Sequence, residues 1–227
     1  MPVKKKLSSV TLVAVDTLDS NRASRVLTYC SRFFEFADIV LFTSQYPTIE
    51  YSHTVAIIAN LDYAGVQRWE LTQLRTMLST PFCLNVQHDG WILNPELWTD
   101  EFLKYDYIGA PWPRQWGTAR VGNSGFSLRS RRFCEATAAV ASSYANEGYD
   151  VFACRVMESR FKRDGIRYAP LELAALFSWE FDCDDLTAGP TTAFGFHGWN
   201  SGRCSQQYGR MLHEELDCRA WVASKWR

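Results

Sequence analysis

Val10-Thr11-Leu12-Val13-Ala14-Val15 runs without a charged residue into Asp16-Thr17. A short apolar, β-branched run closed by polar residues predicts a strand buried on both faces of a parallel sheet. Beyond it, a helical stretch from about Asn21 sets Ala23, Val26, Leu27 and Cys30 on one face, and Ile39-Val40-Leu41-Phe42 repeats the strand pattern before Thr43-Ser44. That is a β-α-β unit. A short strand at Val55–Ile58, an amphipathic helix from about Ala64 to Leu78 and a strand at Phe82–Val86, set off by Pro81, continue the alternation.

From Gln87 to Phe126 the chain changes character. Gly and Pro recur among Trp and Tyr, which predicts short strands and shaped loops. Helices are expected from about Ser130 to Tyr144 and from Val151 to Arg163, with a strand at Ile166–Tyr168 and a charged helix over about 205–225. With no internal repeat or linker, one α/β domain is expected over 1–227, with a core at about 10–200 and a helical extension at about 205–227. Its central sheet should be mostly parallel and flanked by helices.

A chain of 227 residues, 47% hydrophobic and 15% aromatic, can build one sizeable core, which excludes a disordered tail. Lys+Arg 24 against Asp+Glu 25 leave a net charge of −1, so bulk charge gives no argument for a dedicated nucleic-acid or membrane-surface protein. The seven cysteines are scattered without a C-x-x-C pair and read as free thiols. The segment after Lys4-Lys5-Lys6 is too short for a signal sequence, and no apolar run approaches the roughly 20 residues of a membrane-spanning helix. A cytoplasmic protein is expected.

In an open α/β sheet, ligands collect at the carboxyl ends of the strands, which singles out Asp16-Thr17, Thr43-Ser44 and Gln87-His88-Asp89. The last of these puts a carboxylate and an imidazole in a turn suited to a metal or a diphosphate, since a Mg²⁺ or Mn²⁺ ion bridging phosphates needs only one or two protein carboxylates. A turn capped by Asp89 is the alternative of equal weight. The small residues of Val121–Ser130 would let a ligand approach the backbone closely, and a plain Gly-rich turn explains them as well. Spacing alone favours Asp150, in Glu147-Gly148-Tyr149-Asp150, as a helix N-cap. His197, between the glycines and aromatics of Phe194-Gly195-Phe196-His197-Gly198, is a candidate ligand.

Taken in order, Val13–Thr17, Asn85–Gly90, Leu93–Pro95, Tyr105–Trp112, Val121–Ser130 and Phe194–Gly198 resemble the family called domain of unknown function 5672, which is itself similar to nucleotide-sugar glycosyltransferases of the GT-A fold. The resemblance runs from about Val10 to Gly198. It implies a GT-A-like, Rossmann-like domain that moves a hexosyl or pentosyl group from a nucleoside diphosphate sugar, such as a UDP-sugar, to a hydroxyl of a glycan or small-molecule acceptor. Asp16, Thr17, Thr43, Gln87 and Asp89 would bind the nucleotide diphosphate. Asp89 stands where the D-x-D motif of such enzymes has its last carboxylate, with Gln87 in place of the first, and Asp89 and His197 would hold Mg²⁺ or Mn²⁺. Asn123, Ser124 and Gly125 match the Gly-rich loop beside the acceptor, and Trp112 and Trp199 offer flat faces to a sugar. Asp150 would serve as the base of an inverting reaction; related sequences carry Glu-Asp where this one has Tyr149-Asp150.

Three other readings stand beside this one. Arg114, Arg120, Arg129, Arg131 and Arg132 form a basic stretch that would suit a hydroxymethylated base in DNA as acceptor. A non-catalytic sugar- or nucleotide-binding module would keep the fold without turnover. A nucleotidyltransferase would show a Gly-rich signature with a basic residue after the first strand, which Asp16-Thr17-Leu18-Asp19 is not.

Overall fold

A computed structural model of the chain describes residues 4–189 and 191–198. The opening run forms β1 (Lys5–Val15), whose last six residues are all buried. Alternation along β1 divides the core in two. Leu12 and Ala14 join Ala23, Val26, Leu27 and Cys30 of α1 (Ser20–Cys30), whereas Val13 and Val15 join Val66 and Leu74 of a second helix, α2 (Tyr63–Met77). A strand covered on both faces must be apolar on both, which explains the unbroken run. Asp19 caps α1 by accepting from the N–H groups of Asn21 and Arg22.

With β2 (Phe34–Thr43), β3 (Thr54–Ile57), β4 (Phe82–Val86), β5 (Gly90–Ile92), β6 (Tyr107–Ile108) and β7 (Phe126–Ser130), the chain builds a six-stranded sheet of order β3-β2-β1-β4-β7-β6, from which β5 stands apart. The first four strands in that order pair parallel, and β7 runs antiparallel to β4 and β6. The sheet is therefore mostly parallel and flanked by helices, as the sequence predicts. A smaller sheet of order β5-β9-β8 contains β8 (Ser178–Trp179) and β9 (Gly195–His197). Its antiparallel β5–β9 register sets Gly90 opposite His197, which carries a residue from far downstream to the end of β4.

After β7 come α3 (Arg131–Ala139), α4 (Tyr149–Val151), a π-helical turn at Phe152–Val156, α5 (Glu158–Arg163) and α6 (Leu171–Phe177). Two local expectations need correction. The helix expected to reach Tyr144 ends at Ala139, where Val140 leaves helical dihedrals (φ −113, ψ 9) and a 3₁₀ turn follows. The strand at Ile166–Tyr168 shrinks to one bridge between Tyr168 and Tyr107, because the Arg167 carbonyl accepts from both Asp106 and Tyr107 and bends the pairing. Trp98 lies between two 3₁₀ turns, packed against Phe34, Phe102 and Phe194. The helix expected over 205–225 lies outside the described residues. Among the described residues, no helix is long and apolar enough to cross a membrane.

Candidate active site

β1 and β4 end side by side, and a cavity at their carboxyl ends is lined by Asp16, Leu18, Arg22, Tyr63, Gln87 and His88, among others. Asp16 does not face it with a free carboxylate. It accepts from the N–H groups of Leu18 and Asp19 and holds Arg22 Nε at 2.6 Å, so it shapes the turn and fixes a guanidinium at the cavity edge. The hydroxyl of Thr17 donates to the Leu61 carbonyl at 2.5 Å, and Thr43 is fully buried at the end of β2. Neither threonine lines the cavity; both lie in the framework behind it. Sequence reasoning missed Tyr63, which is 68% exposed at the start of α2 and forms part of the cavity wall. Its signal was a large aromatic ring placed off the apolar stripe of its helix.

The end of β4 and the small sheet bring a second group together. Asp89 Oδ1 lies 3.3 Å from His197 Nε2, and Gln87 Oε1 lies 3.2 Å from the same nitrogen. On the other side of the ring, Nδ1 is 2.9 Å from Glu180 Oε1. Glu180 follows β8 directly, and the parallel β8–β9 pairing aligns Trp179 with Phe196, one residue before Glu180 and His197. Glu180 falls in none of the motifs visible in the sequence. Its signal was a lone acid among large apolar residues in Phe177-Ser178-Trp179-Glu180-Phe181.

Two buried carboxylates face the His197 ring, and the His88 ring stands 3.8 Å from Asp89 Oδ1. Glu180 Oε2 is buried with no hydrogen-bond partner. Burial alone would raise the Asp89 carboxyl, but the His197 and His88 rings outweigh it and hold the group well below the usual range. Burial alone would lower His197, but Asp89 and Glu180 drive it well above its ordinary value. For Glu180, burial dominates and raises the carboxyl despite the bond to His197.

Among the described residues, no three His, Cys, Asp or Glu side chains form a complete metal cage. Asp89, His197 and the Gln87 amide oxygen nonetheless fit a partial one. Neighbouring ligands on an octahedral ion with bonds of about 2.1 Å sit roughly 3 Å apart, and diphosphate oxygens and water complete the shell. The buried Asp89 Oδ1 and Gln87 Oε1, both within 3.3 Å of His197 Nε2, are the oxygens that such a cation would share with that nitrogen.

The Gly-rich loop forms the back wall of this group. Asn123 adopts φ 73, and its Oδ1 accepts from the N–H groups of Gly125 and Phe126. The Gly125 carbonyl accepts from the Gln87 N–H at 2.8 Å, and a Cβ on Gly125 would overlap His197 Nε2. The Ser124 carbonyl accepts from Asn85 Nδ2 at 2.8 Å and from Arg129 Nη2 at 2.9 Å. Arg129 is fully buried, with Nη1 2.8 Å from Glu70 Oε2 and its guanidinium carbon 4.2 Å from the centroid of the Tyr149 ring. It ties the loop to α2 and to the residue before Asp150.

A second cavity is lined by Trp112, Trp116, Asp150, Val151, Arg155, Glu180 and Phe181. Asp150 is not an N-cap. Gly148, at φ 96, holds that position, and Asp150 sits in the first turn with Oδ1 accepting from the Val151 N–H. Trp112 is buried beneath the Arg155 guanidinium, whose carbon is 4.5 Å from its ring centroid. Trp116 is exposed and packs edge-on against Phe181. Burial raises the Tyr63 hydroxyl, and the charges of Asp150 and Glu70 add to the rise. Trp199 lies outside the described residues.

The basic stretch is not an open patch. Arg129 is buried on Glu70, Arg120 grips Asp185 at 2.5 and 2.9 Å, Arg131 pairs with Glu135, Arg132 with Asp106, and Arg114 shares a cavity wall with Asp184 and Asp185.

Two solved structures share this architecture. One is a glycosyltransferase involved in the glycosylation of the major capsid of PBCV-1, at 15% identity and TM-score 0.54, with 89% of this chain and 98% of that chain covered. Another is an active-site mutant of LgtC, at 13% identity and TM-score 0.54, with 91% of this chain and 95% of that chain covered. At such identities the likeness establishes the fold, a GT-A Rossmann-like domain. No curated protein matches the sequence. Residues 67–197 match the family described as "Protein of unknown function (DUF5672)", and since they make up more than half of the chain, the protein belongs to that family.

Proposed function

We propose that this protein is a glycosyltransferase that moves a hexosyl or pentosyl group from a nucleoside diphosphate sugar to a hydroxyl of a glycan or small-molecule acceptor, with inversion. One observation carries the reading: strand-end Asp89 meets His197 beside Gln87, and their neighbour Glu180 lines the same cavity as Asp150. The fold shared with glycosyltransferases supports it.

The cavity at the ends of β1 and β4 receives the nucleotide, with Tyr63 as a flat face and Arg22 as a fixed cation. Gln87, Asp89 and His197 would hold Mg²⁺ or Mn²⁺, which when bound would supply positive charge to offset the charge developing on the departing diphosphate. Asp150 accepts the acceptor hydroxyl proton as that oxygen bonds to the anomeric carbon. The carbon–oxygen bond to the diphosphate breaks on the opposite face, and its electron pair leaves with the diphosphate. Trp112, Trp116 and Phe181 wall the acceptor side and limit water. The pairing of the arginine stretch favours an uncharged glycan or small molecule over duplex DNA as acceptor. The buried free thiols of Cys30, Cys83, Cys134, Cys154 and Cys183 fit action in the cytoplasm.

Asp150→Asn tests the reading. Over a panel of nucleotide sugars with Mn²⁺, nucleoside diphosphate release should fall about 10²- to 10⁴-fold while donor affinity is retained. Undiminished release removes Asp150 from catalysis. Pyrophosphate release from a nucleoside triphosphate and a sugar phosphate would replace the transferase with a nucleotidyltransferase.

A further inference from the structure

We propose that Glu180 is a positioning residue, fixing the His197 ring so that Nε2 faces Gln87 and Asp89 and thereby setting the affinity of the site for its cation. The inference rests on the glycosyltransferase reading above. Three observations carry it.

The first is the bond itself. Glu180 Oε1 lies 2.9 Å from His197 Nδ1, and a carboxylate there keeps the hydrogen on Nδ1, leaving the Nε2 lone pair for a ligand. The second is the rigidity of the arrangement. Glu180 directly follows β8 and His197 ends β9, and the parallel β8–β9 register, Ser178 with Gly195 and Trp179 with Phe196, brings the two side by side. Gly125, which leaves no room for a Cβ behind Nε2, closes the ring in from the other side. The third is the state of the carboxylate. Its Oε2 is buried and unpartnered, and the residue lines the Asp150 cavity. A buried carboxylate oxygen left unsatisfied is costly. A purely structural role would be served as well by an apolar residue, so the acid here points to what it does to His197 beside the Asp150 cavity.

The test is Mn²⁺ binding in the presence of UDP, read from the electron paramagnetic resonance signal of free Mn²⁺, for wild type, Glu180→Ala and Glu180→Gln. Thermal melts without metal confirm that each variant folds. Glu180→Ala should bind Mn²⁺ about 10- to 100-fold more weakly. Glu180→Gln should stay within about threefold of wild type, because its amide oxygen still accepts from Nδ1. Equal affinity in wild type and Glu180→Ala overturns the assignment of Glu180 alone. Equal losses in both variants also overturn it, making Glu180 a source of charge and not of orientation. A wild type that binds no Mn²⁺ overturns this inference together with the metal reading on which it rests.

Discussion

Two buried charge clusters lie in this domain, and they differ in their arithmetic. Arg129 and Glu70 are one cation and one anion, both fully buried, with the guanidinium also donating to the Ser124 carbonyl and the Ser127 hydroxyl and stacked on Tyr149. Asp89, His197 and Glu180 are two acids around one imidazole, with Glu180 Oε2 unpartnered and a cavity beside Glu180. The first cluster balances its charges and holds structure together, although Glu70 Oε1 also lacks a hydrogen-bond partner. The second sets two acids against the His197 ring, with the His88 ring 3.8 Å from Asp89, and carboxylates meeting imidazole nitrogens beside a cavity form a donor set that a divalent cation can use.

The contrast can be broken most directly at Arg129. Arg129→Met leaves Glu70 buried and unpaired, and urea denaturation should show a loss of about 3–5 kcal/mol. A loss under about 1 kcal/mol would mean that the pair is no structural anchor. Gly125→Ala should cost about 1–3 kcal/mol through overlap with His197 and should abolish any Mn²⁺-dependent rise in melting temperature; an unchanged metal response would detach the loop from the cation site. Asp89→Asn leaves Glu180 and His197 as a balanced pair, so its cost without metal should be only about 1 kcal/mol. A cost matching that of Arg129→Met would show the trio to be structural as well.

The smallest effect concerns a buried imidazole outside both clusters. Burial pushes His53 down to about 4 from 6.5, and its Nε2 lies 3.2 Å from the Ser24 hydroxyl. His53 is neutral in the folded protein, whereas the unfolded chain takes up a proton below 6.5. Its stabilisation is therefore present above 6.5 and is lost as the pH falls from there toward about 4. The difference in urea midpoint between wild type and His53→Gln should narrow on acidification through this range. A difference that does not change with pH would show that His53 titrates normally.

The framework of the site was legible because parallel strands covered on both faces leave an unbroken apolar trace, as in Val10–Val15 and Phe82–Val86, and their carboxyl ends point to ligands. Asp89 was found in this way, and the resemblance of the ordered segments paired it with His197. Glu180 was not legible, since β8 and β9 have two and three residues and carry no period to reveal their register. The capping of α4 was misread because Gly148 takes a positive φ and holds the place that the spacing offered to Asp150. Arg129 was counted as part of a basic patch, because composition cannot tell a buried guanidinium from a solvated one.

The central claim is that Asp89 and His197 hold one cation on a nucleoside diphosphate. Isothermal titration of Mn²⁺ into protein saturated with UDP tests it most directly. The account expects one ion per chain in the wild type and no measurable binding in Asp89→Ala; binding of equal strength in the two proteins would contradict it.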